Sequence, residues 1–141
     1  MIIQHLNWLA VAVSAIAYFA LGAIWFNPKV FGTTWIKGHG ITAPTEEDKK
    51  RMPMVMATTL VLCFIGAIAM AYFVHVFSYY QVNWRWYSGA KVGLVAGIGF
   101  TGVAIAMNYL YTKKSLALII IDSAYHIIGM VGAGIIISAW R

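Results

Sequence analysis

The pair of residues best suited to chemistry in this sequence is Asp122 with His126. Both lie inside a long apolar segment, and their four-residue spacing places them on one face of a helix, beside Tyr125. A charged side chain at the centre of a bilayer costs at least about 2.5 kcal/mol on insertion scales, so membrane-embedded acids usually face a bundle interior and serve a function. An acid near an imidazole suits a proton relay or a cation site. The alternative is a buried hydrogen-bonded pair that only fixes helix packing.

The preceding apolar segment carries polar side chains that can reach this pair. Thr101 and Asn108 share one helical face, and a hairpin folded about Lys113 brings that face to the level of Asp122. The sequence therefore predicts a cluster of Thr101, Asn108, Asp122 and His126 within the membrane.

Composition identifies the elements that must position these residues. The chain has 141 residues, of which 62% are hydrophobic and 10% charged. Soluble domains carry about 25% charged residues, so this chain cannot cover itself with a water-facing surface. Four apolar runs are each long enough to cross a bilayer. We predict an all-α integral membrane protein, an antiparallel four-transmembrane-helix bundle in a single domain (1–141). The predicted spans are about 7–26, 54–79, 86–110 and 116–139.

The segment 28–53 is the only sizeable loop between these spans. Its first part has apolar residues at near-helical spacing and predicts a short interfacial helix that begins at Pro28. Thr45 followed by acidic residues and Asp48 is typical of a helix start. We expect that helix to continue into the second span, with a kink at Pro53.

The basic residues predict the orientation. Five lie in the loop 28–53 and two in the hairpin 111–115, whereas the opposite side has Arg85, Arg141 and, at the edge of the span, Lys91. The positive-inside rule then places both loops in the cytoplasm and both termini outside. The net charge of +6 is explained by these loop residues, which contact lipid headgroups, and we expect no nucleic-acid partner.

Glycines recur at four-residue spacing in the third span. Gly89, Gly93 and Gly97 form an extended small-residue pattern, and Gly129 continues the polar face of the last span. Such patterns let helix backbones approach closely. They serve packing within the chain or a seam between copies, and the spacing favours neither. A four-helix chain has little interior, so we expect a homo-oligomer, a dimer or larger.

The sequence predicts no metal, no cofactor and no enzymatic activity. A haem held by His75 and His126 fails because the two differ by roughly 15 Å in depth. The methionines near Pro53 fit ordinary packing better than copper binding. Phosphate loops, dinucleotide-binding glycine patterns and hydrolase motifs are absent from the sequence.

Two sequence blocks and an Asn7-Trp8 pair resemble a known family. The first block follows span one, and the second lies before and within the last span. The matching residues are Asn7 and Trp8; Gly22, Trp25, Phe26, Pro28, Phe31, Gly32 and Trp35; and Asn108, Tyr109, Asp122, Tyr125 and His126. Over essentially its full length the chain resembles the small bacterial membrane proteins grouped as domain of unknown function 1761. Asn27 stands where that family is expected to have serine.

The resemblance implies a four-span inner-membrane protein and no particular reaction. It adds the aromatic block after span one to the candidate site, because both blocks meet the same half of the bilayer. The predicted ion or ligand pathway then comprises Asp122, His126, Asn108, Tyr125, Thr101, Asn27 and Trp25.

Three functions remain open at this point. The first is a small homo-oligomeric transporter or channel, coupled to protons or another cation through the Asp122–His126 pair. The second is a non-catalytic membrane scaffold or accessory subunit. The third is a protein that binds a lipid or hydrophobic ligand near Trp25 and Trp35.

Overall fold

A computed structural model describes residues 2–140 of the chain. After a short 3₁₀ turn the chain forms six α-helices with short connections. Two π-helical turns, Pro28–Gly32 and Gly97–Gly102, interrupt them. The helices are α1 (Trp8–Trp25), α2 (Thr33–His39), α3 (Glu46–Tyr79), α4 (Trp86–Ala96), α5 (Val103–Tyr111) and α6 (Leu116–Ala139).

Four helical segments are long and apolar enough to cross a membrane. They are α1, α3, the continuous run Trp86–Tyr111 and α6. The predicted all-α four-transmembrane-helix bundle is confirmed. We call the side that carries α2 and the turn between α5 and α6 the hairpin side. The opposite side, where α1 begins and α6 ends, is the terminal side.

The last helix, α6, is the centre of the bundle. It packs against α4 along its length and also contacts α1 and α3. Glycines bring α4 and α6 together: a Cβ added at Gly89 or Gly93 would collide with the α6 backbone at Gly134 or Met130. Gly97 likewise lies against the backbone of Ile127. The glycine pattern of the third span thus serves packing within the chain.

The opposite side of α6 faces α1 and α3, and small side chains fill the space between these helices. Ala10 and Val11 of α1 and Ala67 of α3 are fully buried there. The Gly129 position of α6 lies directly against the ring of Tyr18. Larger side chains on α6 would push α1 away and open this interface.

The short helix α2 folds back under the bundle on the hairpin side. It contacts α6, and Gly38 lies so close to the Leu118 side chain that a Cβ at position 38 would approach its carbons within 2.8–2.9 Å. Gly40 ends α2 with φ +68°, a left-handed conformation that glycine adopts without strain. The fold-back carries His39 towards the buried end of α6.

The long helix α3 begins as the sequence predicts. The Asp48 N–H donates to Thr45 Oγ1 (3.2 Å), and the Thr45 N–H donates to Asp48 Oδ2 (2.9 Å), which forms a capping box. The helix runs through Pro53 without ending. On the terminal side, Asn7 caps α1 and its side-chain amide donates to the Trp140 carbonyl (2.6 Å). Arg141, one of the basic residues used to predict the orientation, lies outside the described residues.

Candidate functional site

Asp122 lies on α6, two turns from the hairpin side, and only 7% of its surface is exposed. Counted from Leu116, it is roughly 9 Å along the helix axis. The Tyr109 hydroxyl donates a hydrogen bond to Asp122 Oδ2 (2.5 Å). A buried carboxylate is costly unless it is hydrogen-bonded and paired with positive charge. Tyr109 supplies the hydrogen bond but no positive charge.

His39 is the third member of this cluster. Its Nε2 lies 3.7 Å from Asp122 Oδ2 and 3.4 Å from the Tyr109 hydroxyl. The His39 and Asp122 side chains are 19% and 10% exposed. The contact is an ion pair only when the imidazole carries a proton. We call Asp122, Tyr109 and His39 the acid cluster.

A second polar contact lies one turn deeper on the same face of α6. The Tyr18 hydroxyl forms a hydrogen bond with His126 Nδ1 (2.5 Å), in which the donor depends on the tautomer of the imidazole. Tyr125 donates to the Tyr18 carbonyl (3.3 Å). We call His126 and Tyr18 the imidazole–tyrosine pair. Four residues separate Asp122 from His126, or roughly 6 Å along the axis.

Aromatic side chains lie against the imidazoles of both groups. The Trp25 indole donates to the Ile121 carbonyl (3.1 Å), so the end of α1 is tied to α6 beside Asp122. The Trp35 ring lies 4.5 Å from the His39 ring and 5.3 Å from that of Phe26. The Trp35 N–H is buried, and no described residue accepts a hydrogen bond from it. This aromatic wall lowers the local dielectric, which strengthens every charge interaction inside it.

The described residues offer Asp122 no permanent cation. His39 is the only described basic side chain within ion-pair distance of its carboxyl group, and the other ion pair, Lys49 with Glu46 (2.6 Å), is on the surface. No group of three or more His, Cys, Asp or Glu side chains in residues 2–140 could hold a metal ion. The arrangement suits transfer or uptake of a proton or a weakly held cation.

The structure brings together four of the seven predicted site residues. Asp122, His126, Tyr125 and Trp25 line one face of the α1–α6 interface. The other three are placed elsewhere. Asn27 is exposed and caps the turn that begins at Pro28, through Lys29 N–H. The Thr101 hydroxyl faces Met130 Sδ (3.9 Å), and Asn108 is exposed.

Tyr109 occupies the position beside Asp122 that the sequence assigned to Asn108. The π-helical turn Gly97–Gly102 explains the difference, because the extra residue in such a turn rotates the following face by about 100°. Gly102 faces α6: a Cβ there would lie 3.7 Å from Ile127 Cδ1. Seven residues further, two α-helical turns, is Tyr109, which faces the same way.

His39, Tyr109 and Tyr18 complete the site and are absent from the predicted set. Tyr109 belongs to one of the blocks that carry the family resemblance, and this was the available signal. Tyr18 is a phenol within an apolar span, and buried phenols usually find a partner. His39 sits in a loop segment, and nothing local in the sequence indicates that α2 folds back.

The family comparison agrees with the resemblance seen in the sequence. A family model described as protein of unknown function (DUF1761) matches residues 9–138 of the chain. The matched region includes α2, the acid cluster and all four spans apart from Trp8 at the start of α1 and Ala139 at the end of α6. Comparison with curated proteins gave no match, and neither did comparison with solved structures. The chain belongs to the DUF1761 family of membrane proteins.

Proposed function

We propose that this protein is a small transporter or channel that couples to protons or another small cation at Asp122. The observation that supports this proposal most strongly is the buried Asp122 carboxyl group. Among the described residues, its only basic neighbour is the His39 imidazole, at 3.7 Å. A lysine or arginine partner would fix the charge of the site permanently. An imidazole can be neutral or charged, so this partner does not fix the charge of the site.

Three states can balance the negative charge of the buried Asp122 carboxyl group. It can carry a proton, it can face a protonated His39, or it can bind a cation together with the hydroxyl oxygen of Tyr109. Each state adds one positive charge to the site. Exchange of that charge with water on the hairpin side supports coupled transport, since intramembrane ionisable residues mark ion and proton pathways.

His39 is the proposed entry point. It lies at the end of α2 on the hairpin side, and it is more exposed than Asp122. The imidazole–tyrosine pair, roughly 6 Å deeper, is the proposed next station. The charge distribution of the loops favours a cytoplasmic hairpin side and outward termini in a bacterial inner membrane. We propose no enzymatic activity.

The test is cation and proton flux into proteoliposomes loaded with a pH-sensitive dye. We expect Asp122→Asn to abolish flux and His39→Gln to slow it, with both variants folded and inserted. Glu47→Gln and His75→Gln are the matched controls, because each removes the same chemical group away from the site. Both controls should keep wild-type flux. Wild-type flux in Asp122→Asn would contradict the proposal.

A scaffold is the second candidate, favoured by the short Tyr109–Asp122 hydrogen bond (2.5 Å). A fixed donor on a buried carboxyl group is what a packing lock requires. In that case no preparation conducts ions, and Tyr109→Phe and Asp122→Ala both lower stability because each breaks the same bond. Asp122→Asn keeps that bond, since its amide oxygen still accepts from Tyr109, so it should cost little stability. A loss of flux in Asp122→Asn then reports the missing carboxyl group and distinguishes the transporter from the scaffold.

The homo-oligomer stays a prediction and is part of the proposal. The glycine pattern of α4 is occupied by α6, so a second copy would have to use a lipid-facing surface. The exposed side of α5, with Val103, Met107 and Leu110, is an apolar surface on the helix that carries Tyr109. Single-molecule subunit counting in bilayers tests this, and a monomer at all protein densities would contradict it.

A further inference from the structure

A groove between α3 and α4 lies on another side of the bundle from the acid cluster. These two helices are neighbours in sequence but touch only weakly. The groove between them has a volume of about 390 Å³. Apart from Lys91, its walls are entirely apolar: Phe73, Phe77, Val92, Val95, Ala96 and Phe100.

The groove has two aromatic rings at one end and a charged side chain at the other. Phe73 and Phe100 stack at its inner end, with ring centroids 6.4 Å apart and planes inclined by 13°. Lys91 stands towards the terminal side. Nine residues separate Lys91 from Phe100, which is roughly 14 Å along the helix axis. A space of this shape accepts an extended hydrocarbon chain that enters past Lys91.

A second cavity continues the groove towards the terminal side. It has a volume of about 260 Å³ and shares Phe77, Lys91 and Val92 with the groove. The remaining lining residues are largely polar or amphipathic: Gln81, Asn83, Trp84, Tyr87 and Ser88. Lys91 Nζ lies 5.6 Å from the centre of the Tyr87 ring. The two cavities together are apolar inside the membrane and polar at its surface.

The charge at the mouth has no acidic side chain of the described residues beside it. The chain has four acidic side chains in all. Glu46, Glu47 and Asp48 begin α3 on the hairpin side, and Asp122 is in the acid cluster. No acidic side chain therefore reaches Lys91. A lysine at this depth extends to the lipid phosphates, and cationic residues near the surface favour anionic lipids.

We infer that this groove is a binding site for one anionic glycerophospholipid, with an acyl chain between α3 and α4 and the phosphate at Lys91. The apolar walls with their aromatic inner end match the acyl chain of such a lipid, and the cation at the mouth matches its phosphate. Gln81, Asn83 and Ser88 supply hydrogen-bonding groups for its headgroup. The site does not depend on transport through the acid cluster.

The test is lipid binding to the delipidated full-length protein by native mass spectrometry. The probes are phosphatidylglycerol, phosphatidylcholine and oleate. Val95→Trp fills the groove, and its control is Leu94→Trp, because Leu94 is exposed on the same helix and does not line the groove. Lys91→Gln removes the charge, and its control is Lys113→Gln on the hairpin side.

We expect Val95→Trp to weaken phosphatidylglycerol binding by about tenfold or more, because the indole fills the space of the chain. Lys91→Gln should weaken phosphatidylglycerol by about fivefold and leave phosphatidylcholine unchanged. The controls should bind like wild type. Equal binding by wild type and Val95→Trp would overturn the inference, as would oleate that binds as tightly as phosphatidylglycerol or a second protein copy that protects the groove from every lipid.

Discussion

The two faces of α6 are built on opposite principles. Towards α4, glycines remove the side chains, and backbone meets backbone at Gly89 and Gly134. Towards α1, α2 and α5, the same helix carries Asp122 and His126, whose polar groups meet Tyr109, His39 and Tyr18. The glycine face fixes where α6 lies, and the polar face uses that fixed position to hold ionisable groups inside the membrane. Close packing and ionisable side chains therefore lie on different sides of one helix.

The largest effect is expected on the glycine face. Gly134→Ala puts a methyl group onto the Gly89 carbonyl, which is backbone and cannot turn away. We expect a loss of about 3 kcal/mol in the free energy of unfolding, measured by SDS titration in mixed micelles. Gly132→Ala is the control, since a Cβ there meets nothing within 4 Å. It should stabilise by about 0.5–1 kcal/mol, because alanine favours helix over glycine. Equal effects of the two variants would contradict backbone contact between α4 and α6.

An intermediate effect is expected from the imidazole–tyrosine pair. Tyr18→Phe removes the hydroxyl that bonds His126 Nδ1 and keeps the ring against Gly129. We expect a loss of about 1 kcal/mol, since hydrogen bonds inside membranes contribute little more than this. The same unfolding titration measures it. Tyr111→Phe, at a phenol that is 86% exposed, should change nothing. A loss of unfolding free energy as large as that of Gly134→Ala would contradict the expectation that the glycine face contributes more to stability than the polar face.

A smaller effect is expected at the edge of the polar face. Trp25→Phe removes the indole donor to the Ile121 carbonyl and keeps an aromatic ring beside Phe31. We expect a loss of about 0.6 kcal/mol, together with faster hydrogen exchange in the first turns of α6, because α1 is then less firmly tied to it. Trp86→Phe, on the terminal side, is the control. Unchanged hydrogen exchange near Ile121 would show that the Trp25 hydrogen bond does not hold α1 against α6.

The architecture follows from the sequence because hydrophobic length determines it. Runs of apolar residues that are long enough to span the bilayer must cross it as helices. Local signals also sufficed for the start of α3 at Thr45 and Asp48, since a cap depends only on residues three positions apart. The polar face of α6 followed from the four-residue spacing of Asp122 and His126 for the same reason.

The partners of that face did not follow, because they depend on distant geometry. His39 reaches Asp122 only through the fold-back of α2, across 83 residues of sequence. A regular α-helix would place Asn108 beside Asp122. The π-helical turn Gly97–Gly102 rotates α5, so Tyr109 lies there instead. Tyr18 meets His126 across the bundle, which depends on how α1 is rotated. Each contact is fixed by tertiary packing.

The most direct measurement is infrared difference spectroscopy of the carboxyl groups in lipid, as pH is varied across the range where carboxylic acids and imidazoles titrate. Wild type should show a titrating carboxyl band that responds to added monovalent cation. Asp122→Asn should remove that band, and Glu47→Gln should leave it. This result would establish that Asp122 exchanges a proton or cation with the surroundings. A wild-type spectrum with no titrating band assigned to Asp122 would contradict the account and leave the acid cluster as a packing lock.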